Sequence, residues 1–329
     1  MKILIAEYAV ATGLPGTFQV EGRAMLSILA RSFVRLGHEV IYPTAGPAIG
    51  AGRAIQLGGG SDRDFEDLLA GADADAGLVI APDELLPGFL KTLEESGTTN
   101  LGSSPKAARL AADKLACTRL LEGAGVPVVE VVNPDDPGDG PFVLKPRFGC
   151  GSERLELVDK LPEDLGDGRI ATKYREGEAL SVSLIASGDR VLPLTVNKQL
   201  VSVEAGFEYR GGIVPYHTER EEEILKAAGM AARALDLRGY AGIDLVVGDL
   251  PRVVDANPRS TTSIVGMSKV MREELADLIL RARVSTLPER VTVEGECEFR
   301  KGELEIFDSN NGKYYFSSGV FGGLRLIGP

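Results

Sequence analysis

The sequence predicts an α/β region at the amino terminus followed by an α+β region. In residues 1–104, apolar segments typical of buried strands alternate with segments whose apolar residues recur at helical spacing. After residue 104, several apolar strands follow one another with turn residues between them, which is typical of an α+β arrangement. The third observation is the stretch Gly239–Thr262, which predicts a β-hairpin bearing several polar side chains.

The bulk properties of the chain argue against several classes of function. Its 329 residues can hold two or three domains with an ample core. A net charge of −12 argues against nonspecific nucleic-acid binding, which needs a basic surface. No apolar run approaches the roughly 18–20 residues that span a bilayer, and no signal-peptide pattern precedes the first strand. Because the three cysteines lie far apart, we expect neither a metal spacing nor a disulfide framework, and we predict a cytoplasmic protein.

The first hundred residues predict a small Rossmann-like domain that ends near Ser104. Strands are predicted at Met1–Tyr8, His38–Pro43, Ala76–Ala81 and Thr98–Leu101, and helices at Glu21–Leu36, Phe65–Leu69 and Leu86–Ser96. Because no GxGxxG follows the first strand, a dinucleotide site is not expected. The segment Gly46–Gly60 is rich in Gly and Ala and is predicted to be a mobile loop.

The middle of the chain places two lysines in different settings. One helix is predicted from Pro105 to Gly123 or Gly125, with Ser104 as its N-cap, and it contains Lys114. After a predicted strand at Val126–Val132, another strand carries Lys145 and leads into the glycine-rich loop Phe148–Ser152. Two interpretations fit this loop: a phosphate clamp, in which glycines allow backbone N–H groups to approach the ligand, or a plain hairpin with a glycine turn.

Polar residues that face a ligand are predicted in the next two segments. Backbone groups of Lys173, Tyr174 and Arg175 are candidates for reading an adenine edge, and Glu178 for accepting from ribose hydroxyls, although strand-to-strand linkers of this composition are common. A strand at Leu192–Leu200 and a loop at Phe207–Pro215 follow. They bear Asn197, Gln199 and Tyr209, which either face a substrate or are exposed. Helices are predicted at Glu219–Leu235 and Lys269–Arg283, and Val291–Pro329 is predicted to form a small packed sheet.

The predicted hairpin carries acidic residues on paired strands, where acids are normally depleted. Asp255 and Asn257 share one face of the second strand because side chains alternate, and Arg259 follows on that face. If Asp244 on the first strand lies opposite, three hard oxygen ligands converge, which suits Mg²⁺ bound together with phosphate oxygens. The alternative is that both aspartates are solvated strand ends.

The order of these elements resembles that of the ATP-grasp superfamily of carboxylate–amine ligases, and the run DANPR (Asp255–Arg259) is the most specific part of the match. The resemblance implies an ATP-grasp fold, in which two α+β subdomains clamp ATP behind a Rossmann-like domain. It implies that Lys114 and Lys145 contact the ATP phosphates, that the loop containing Gly149, Gly151 and Ser152 covers them, and that the Lys173–Glu178 linker binds adenine and ribose. It also implies that Asp244, Asp255 and Asn257 hold one or two Mg²⁺ or Mn²⁺ ions.

Two positions depart from the superfamily pattern. Asp255 stands where Glu is usual, and Ala179 stands where many members have an acid, with Glu178 one residue earlier. The implied domain division is 1–104 (Rossmann-like), 105–175 (lid subdomain with linker), 176–288 (core with the metal hairpin) and 289–329 (tail). Dimers are frequent in the superfamily, so a homodimer is possible.

Within the superfamily, the chain is similar to the archaeal tyramine–L-glutamate ligases of methanofuran biosynthesis. The similarity rests on Glu7–Tyr8, Glu21–Leu26, Gly177–Leu184, Val196–Gln199 and Phe207–Pro215. It implies that the γ-carboxyl of L-glutamate becomes an acyl phosphate, which the amine attacks, with Arg259 and Lys145 neutralising charge. The alternatives are another amino-acid or peptide ligase of the superfamily, or an ATP-binding sensor without turnover.

Overall fold

The computed structural model describes residues 1–58, 60–149, 155–202, 207–303 and 322–327. Three of the residues considered for the glycine-rich loop, Cys150, Gly151 and Ser152, therefore lie outside the described residues, as does most of the tail beyond residue 303. In the described ranges, no helix is both long and apolar enough to cross a membrane.

The amino-terminal region is built on a parallel sheet, as expected of a Rossmann-like domain, with five strands where four were predicted. Its strands are β1 (Lys2–Glu7), β2 (Glu39–Thr44), β3 (Arg53–Gln56), β4 (Ala76–Ile80) and β5 (Thr99–Asn100), in the order β3-β2-β1-β4-β5. Its helices are α1 (Tyr8–Thr12), α2 (Thr17–Arg35), α3 (Asp62–Ala70) and α4 (Leu86–Glu95). The prediction of a loop throughout Gly46–Gly60 was wrong, because β3 pairs there with β2. As a partly exposed edge strand, β3 lacks the buried apolar run that marks the other strands.

The single helix predicted after Ser104 is two helices. Ser104 caps α5 (Pro105–Ala112) as expected, accepting a hydrogen bond from the backbone N of Ala107 at 3.2 Å. At Asp113 the backbone is extended, and its carboxylate caps α6 (Lys114–Gly123) by accepting from the backbone N of Ala116 at 3.1 Å. The break makes Lys114 the first residue of a helix rather than a mid-helix surface position.

A three-stranded antiparallel sheet follows. It consists of β6 (Phe142–Pro146), β7 (Glu156–Val158) and β8 (Arg169–Lys173), in the order β7-β6-β8. The strand predicted at Val126–Val132 is not a strand; Val128 and Val131 make only isolated bridges, to Val253 and Thr172.

The remaining strands form one seven-stranded antiparallel sheet, in the order β13-β12-β9-β10-β11-β14-β15. They are β9 (Glu178–Ser187), β10 (Arg190–Ser202), β11 (Glu208–Val214), β12 (Arg238–Val247), β13 (Pro251–Asn257), β14 (Cys297–Glu303) and β15 (Gly322–Ile327), with α7 (Glu221–Ala234), α8 (Ile264–Val270) and α9 (Leu275–Arg283).

Three predictions for this sheet and its helices were wrong. The predicted loop at Phe207–Pro215 is strand β11; its glycines concealed it, although Gly211 is required because a Cβ there would lie 2.1 Å from the carbonyl oxygen of Phe299. The tail does not form a separate sheet, because β14 pairs with β11. The helix predicted at Lys269–Arg283 is interrupted after Val270, where Met271 is extended.

One apolar core joins the amino-terminal sheet to the seven-stranded sheet. Residues of β1 and α2, such as Ile3 and Leu26, pack in the same cluster as Tyr240 of β12 and Leu278 of α9. A second core fills the space between the seven-stranded sheet and α7. The shared core holds the carboxyl ends of β1 and β4 beside the β12–β13 hairpin, and that is where a ligand site is expected in an open α/β sheet.

Candidate active site

A cavity of about 780 Å³ lies where the three sheets meet. The amino-terminal region contributes the ends of β1 and β4, the three-stranded sheet contributes β6 and β8, and the seven-stranded sheet contributes the β12–β13 hairpin with parts of β9, β10 and β11. Most of the polar residues predicted from the sequence line this cavity, including both lysines, both hairpin aspartates and Arg259.

The hairpin aspartates are direct cross-strand partners, Asp244 on β12 and Asp255 on β13. The two carboxylate oxygens of Asp244 accept hydrogen bonds from Gln199 Nε2 at 2.9 Å and from Asn257 Nδ2 at 3.0 Å. Burial, reinforced by the negative charge of Asp255, raises the pKa of Asp244 to about 7. The prediction that Asp244 lies opposite Asp255 is therefore confirmed by the register, and the pair is a concentrated source of negative charge.

Two buried lysines lie close to one of these carboxylates, that of Asp255. Lys114 Nζ lies 3.3 Å from Asp255 Oδ2 and donates to the carbonyl oxygen of Gly149 at 2.6 Å. Lys145 Nζ donates to the carbonyl oxygen of Val254 at 3.3 Å. Burial lowers the pKa of Lys145, while Asp255 opposes that shift. Lys114 and Lys145 come from different elements, so only the tertiary fold brings them together.

Asp113 and Arg147 hold the two lysine-bearing segments together. Arg147 Nε and Nη2 donate to the two carboxylate oxygens of Asp113 at 2.8 and 2.6 Å, and the Arg147 carbonyl oxygen accepts from the backbone N of Lys114 at 3.0 Å. The hydrogen bonds from Arg147 hold the pKa of Asp113 below its usual value. Sequence reasoning missed this pair, although an Asp directly before a lysine-led helix is a recognisable cap signal.

Arg259 is held by an acid that sequence reasoning also missed. Its Nε and Nη2 lie 2.9 Å from Oδ1 of Asp83, in the loop between β4 and α4. Asp83 is 3% exposed, and burial raises its pKa while the charge of Arg259 opposes the shift. The pair links the amino-terminal region to the hairpin, with a sequence separation too large for any local pattern to show.

The linker residues divide into two groups. Lys173, Tyr174 and Arg175 line the cavity, as predicted. The Lys173 ammonium donates to the carbonyl oxygens of Pro137 and Asp139, and Arg175 pairs with Glu130.

Glu178 does not line the cavity, and the prediction that it binds ribose is corrected here. It accepts hydrogen bonds from Lys198 Nζ at 2.7 Å and from the hydroxyl of Tyr216 at 2.8 Å, and the Lys198 contact lowers its pKa. Strand alternation explains the placement, because Ala179 takes the cavity-facing position of β9 and Glu178 therefore points to the other face.

The predicted substrate residues also divide. Gln199 and Tyr209 line the cavity, and Gln199 contacts Asp244. Asn197 is 1% exposed and does not line the cavity. Its Nδ2 donates to the hydroxyls of Ser181 and Ser183. The prediction that Asn197 contacts a substrate directly is therefore wrong, because its side chain is buried within the sheet.

Two further acids, Glu7 at the end of β1 and Glu21 on α2, line the cavity without having been singled out as site residues. The detectable signal for Glu7 is an acid at the carboxyl end of a fully apolar strand.

The donor set on the hairpin fits a hard cation. Within the described part of the chain, no group of three or more His, Cys, Asp or Glu side chains could hold a metal ion by itself. Asp244, Asp255 and Asn257 offer two carboxylates and one amide, and Mg²⁺ is commonly held by one or two carboxylates plus substrate phosphates. Burial is the main cause of the raised pKa of Asp244, and a divalent cation bound here would relieve the repulsion from Asp255 that adds to it.

Comparisons with known proteins agree with this geometry. A family model described as ATP-grasp domain matches residues 111–263. The tyramine–L-glutamate ligase of Methanocaldococcus fervens is 30% identical over 291 residues, covering 85% of this chain and 93% of that protein. A solved structure described as an ATP-grasp superfamily protein from Archaeoglobus fulgidus has a TM-score of 0.77 and 28% identity, covering 99% of both chains.

Biotin carboxylase from Campylobacter jejuni, solved as a complex with an ATP analogue, has a TM-score of 0.72 at 18% identity, covering 95% of this chain and 77% of that one. At this identity the likeness shows the fold alone, and it confirms the predicted combination of a parallel amino-terminal sheet with antiparallel sheets. The chain belongs to the ATP-grasp superfamily and is an amide-bond-forming ligase of that superfamily.

Proposed function

We propose that this ligase joins the γ-carboxyl of L-glutamate to tyramine in methanofuran biosynthesis, with ATP converted to ADP and phosphate. The observation that carries the ligase chemistry is the convergence of Lys114, Lys145, Asp244 and Asp255 on one cavity from three sheets. The substrate pair is suggested by the similarity to the tyramine–L-glutamate ligase of M. fervens over most of the chain.

The lysines form the phosphate end of the site in this proposal. Lys114 and Lys145 are both buried, and their ammonium groups point toward Asp255, so a nucleotide polyphosphate would meet two cations in a region of low dielectric. Gly149 lies next to Lys114. The predicted role of Gly151 and Ser152 in contacting the phosphates stays part of the proposal, and both lie outside the described residues.

Asp244, Asp255 and Asn257 would hold one or two Mg²⁺ or Mn²⁺ ions. Bound there, the metal would neutralise charge on the phosphate oxygens during transfer. The backbone of Lys173, Tyr174 and Arg175 would contact the adenine, because all three residues line the same cavity as Lys145. Glu178 is not included, because it faces away from the cavity.

Arg259 would orient the carboxylate that accepts the γ-phosphoryl group. The carboxylate oxygen attacks the γ-phosphorus, the bond to the ADP oxygen breaks, and an acyl phosphate forms. The neutral amine nitrogen then attacks the acyl carbon, the bond to the phosphate oxygen breaks, and the phosphate that leaves takes up the proton that the nitrogen loses. Arg259 is rigid in this role because Asp83 holds its Nε and Nη2. The buried setting of both lysines would keep water from the acyl phosphate.

The division into 1–104, 105–175, 176–288 and 289–329 stays a prediction, as does a homodimer. The boundaries near residues 104 and 175 fall between strands of different sheets, whereas the boundary near residue 288 falls within the seven-stranded sheet, because β11 and β14 pair across it.

ADP release by the purified protein with ATP and Mg²⁺ tests the function. We expect ADP only when L-glutamate and tyramine are both present, together with γ-glutamyltyramine identified by mass spectrometry. Turnover with a different acid and amine from a panel would keep the ligase and discard the tyramine assignment. Tight ATP binding without turnover for any pair would favour the sensor.

A further inference from the structure

One end of the cavity has no role in the phosphate chemistry. Glu7 and Glu21 line it from the amino-terminal region, and Glu7 is only 4% exposed. Gly22 allows α2 to lie against Glu7, because a Cβ on Gly22 would be 2.3 Å from Glu7 Oε2. Thr262 Oγ1 donates to Glu21 Oε2 at 3.4 Å, so Glu21 touches the segment that follows Arg259.

Glu21 supplies negative charge at this end of the cavity, and Glu7 is a buried acid beside it that would ionise when a cation binds. Burial raises the pKa of Glu7 to about 8, and the charge of Glu21 adds to that shift. Arg259 is the cation whose charge opposes it, and its guanidinium also hydrogen-bonds to Asp83. A cationic ligand would gain from both acids without displacing the phosphate-facing lysines.

An apolar wall lies beside the acids, and it is an independent observation. Tyr8, Leu14, Phe18 and Met25 line the cavity from α1, α2 and the turn between them. Leu14 and Phe18 are 36% and 37% exposed, which makes them two of the exposed large apolar side chains among the described residues. Exposed apolar side chains grouped at a cavity are typical of a ligand contact.

We propose that this end of the cavity, the amine pocket (Glu7, Tyr8, Leu14, Phe18, Glu21 and Met25), binds the primary ammonium group of an amine substrate, with the aromatic body of that substrate on the apolar wall. The inference rests on the proposed function and deepens it by assigning residues to the second substrate. An aromatic body is favoured because two residues of the wall, Tyr8 and Phe18, carry aromatic rings, and Phe18 is exposed.

The amine pocket adjoins the hairpin carboxylates through Tyr209. Burial raises the pKa of Tyr209 well above its usual value, and the charges of Glu21 and Asp244 both add to the shift, so Tyr209 lies within the field of both acids. The amine would thus enter from the amino-terminal side, while the phosphates occupy the side of Lys114 and Lys145. This separation keeps the two like-charged groups, the ammonium and the lysines, apart.

Calorimetric titration of the full chain tests the pocket without relying on turnover. The ligands are tyramine, 4-ethylphenol (the same ring without the ammonium) and L-glutamate, each with Mg²⁺ and a non-hydrolysable ATP analogue. The variants are Glu21→Gln, Phe18→Ala, and Glu39→Gln as a control, because Glu39 is an exposed acid at the opposite end of the parallel sheet. Thermal unfolding checks that each variant folds.

We expect the wild type to bind tyramine about tenfold more tightly than 4-ethylphenol, and Glu21→Gln to abolish that preference while leaving L-glutamate binding unchanged. Phe18→Ala, an exposed change that does not threaten the fold, should weaken both phenols, and Glu39→Gln neither. The proposal is overturned if Glu21→Gln leaves the preference for tyramine intact or if the wild type does not bind tyramine. It is also overturned if Glu21→Gln weakens the binding of L-glutamate instead, because the acids would then bind the ammonium group of L-glutamate.

The ADP assay separates this result from the fate of the proposed function. Tyramine binding that depends on Glu21, without ADP release for any acid and amine, would support the amine pocket and reject the ligase activity. ADP release that needs an acid and an amine, with tyramine binding independent of Glu21, would support the ligase and reject the amine pocket.

Discussion

The three-stranded sheet and the seven-stranded sheet contribute to the same cavity, yet their cores differ greatly in size. Among the described residues, the buried core beneath the three-stranded sheet consists of Val132, Phe142, Leu144 and Ala171. The seven-stranded sheet shares one continuous core with the amino-terminal sheet on one face and has a second core against α7 on the other.

The unequal cores indicate which part of the site can move. A region with few buried apolar contacts opens at a lower free-energy cost than one anchored in a large core. Lys145 lies on the small sheet, whereas Asp244 and Asp255 lie on the large one and Arg259 follows two residues after the end of β13. We therefore expect the small sheet with Lys145 to close over the nucleotide while the carboxylates stay fixed.

Replacing Lys145 with Met should give the largest effect, and it separates function from stability on the small sheet. Met fills a similar buried volume without charge, so the melting temperature should change little, whereas turnover should fall by about 10²–10³-fold through loss of a phosphate contact. ADP release and thermal unfolding measure the two effects. Lys160→Met, at an exposed lysine of the same region, is the matched control. An equal loss of stability and activity would show that Lys145 holds the small sheet together.

Asp83→Asn should instead affect the part of the molecule that contains the amino-terminal sheet and the seven-stranded sheet. It leaves the Arg259 guanidinium without its carboxylate partner, so we expect a loss of about 3 kcal/mol in the free energy of unfolding and about tenfold in kcat. Denaturant unfolding and ADP release provide the measurements, with Asp67→Asn on the exposed face of α3 as a control. A loss of kcat with an unchanged free energy of unfolding would mean that Asp83 orients Arg259 without stabilising the folded protein.

The buried acid Glu7 should make the free energy of unfolding of the protein depend on pH. Its pKa in the folded protein, about 8, lies above the ordinary value of 4.5, so the folded state retains the proton that the unfolded state loses. The contribution of this raised pKa to the stability of the folded state is complete below pH 4.5 and is lost as the pH rises to about 8. The free energy of unfolding of Glu7→Gln minus that of the wild type should therefore rise by about 2–4 kcal/mol between pH 5 and pH 8.5. Melting temperatures at three pH values measure this, and parallel curves for the two proteins would contradict it.

Arg147→Lys should have the smallest effect. Lysine cannot make the two parallel hydrogen bonds that Arg147 makes with Asp113, so the link between β6 and the start of α6 should loosen. We expect amide exchange in β6 and β8 to become several-fold faster, the KM for ATP to rise about two- to fivefold, and exchange in β9 and β12 to stay unchanged. Faster exchange in β12 as well would show that the two sheets open as one unit.

Much of the fold was predictable because its strongest signals are local. The parallel strands β1, β2 and β4 are apolar runs buried on both faces, Ser104–Pro105 starts a helix, and the hairpin turn separates two apolar strands. The edge strand β3 and the glycine-containing β11 were missed because exposure and glycine erase the apolar pattern. The break at Asp113 was missed because helical periodicity continues through it.

The sequence by itself determined the order of chemical groups: two lysines, a glycine-rich loop, and a hairpin with two aspartates, an asparagine and an arginine. The tertiary structure decided which of them face the cavity. Alternation along β9 turns Glu178 away, burial removes Asn197 from the lining, and the shared core brings Glu7, Glu21 and Asp83 to the site. The physical reason is that a side chain's direction and its distant neighbours depend on register and packing, which contacts between separate segments establish.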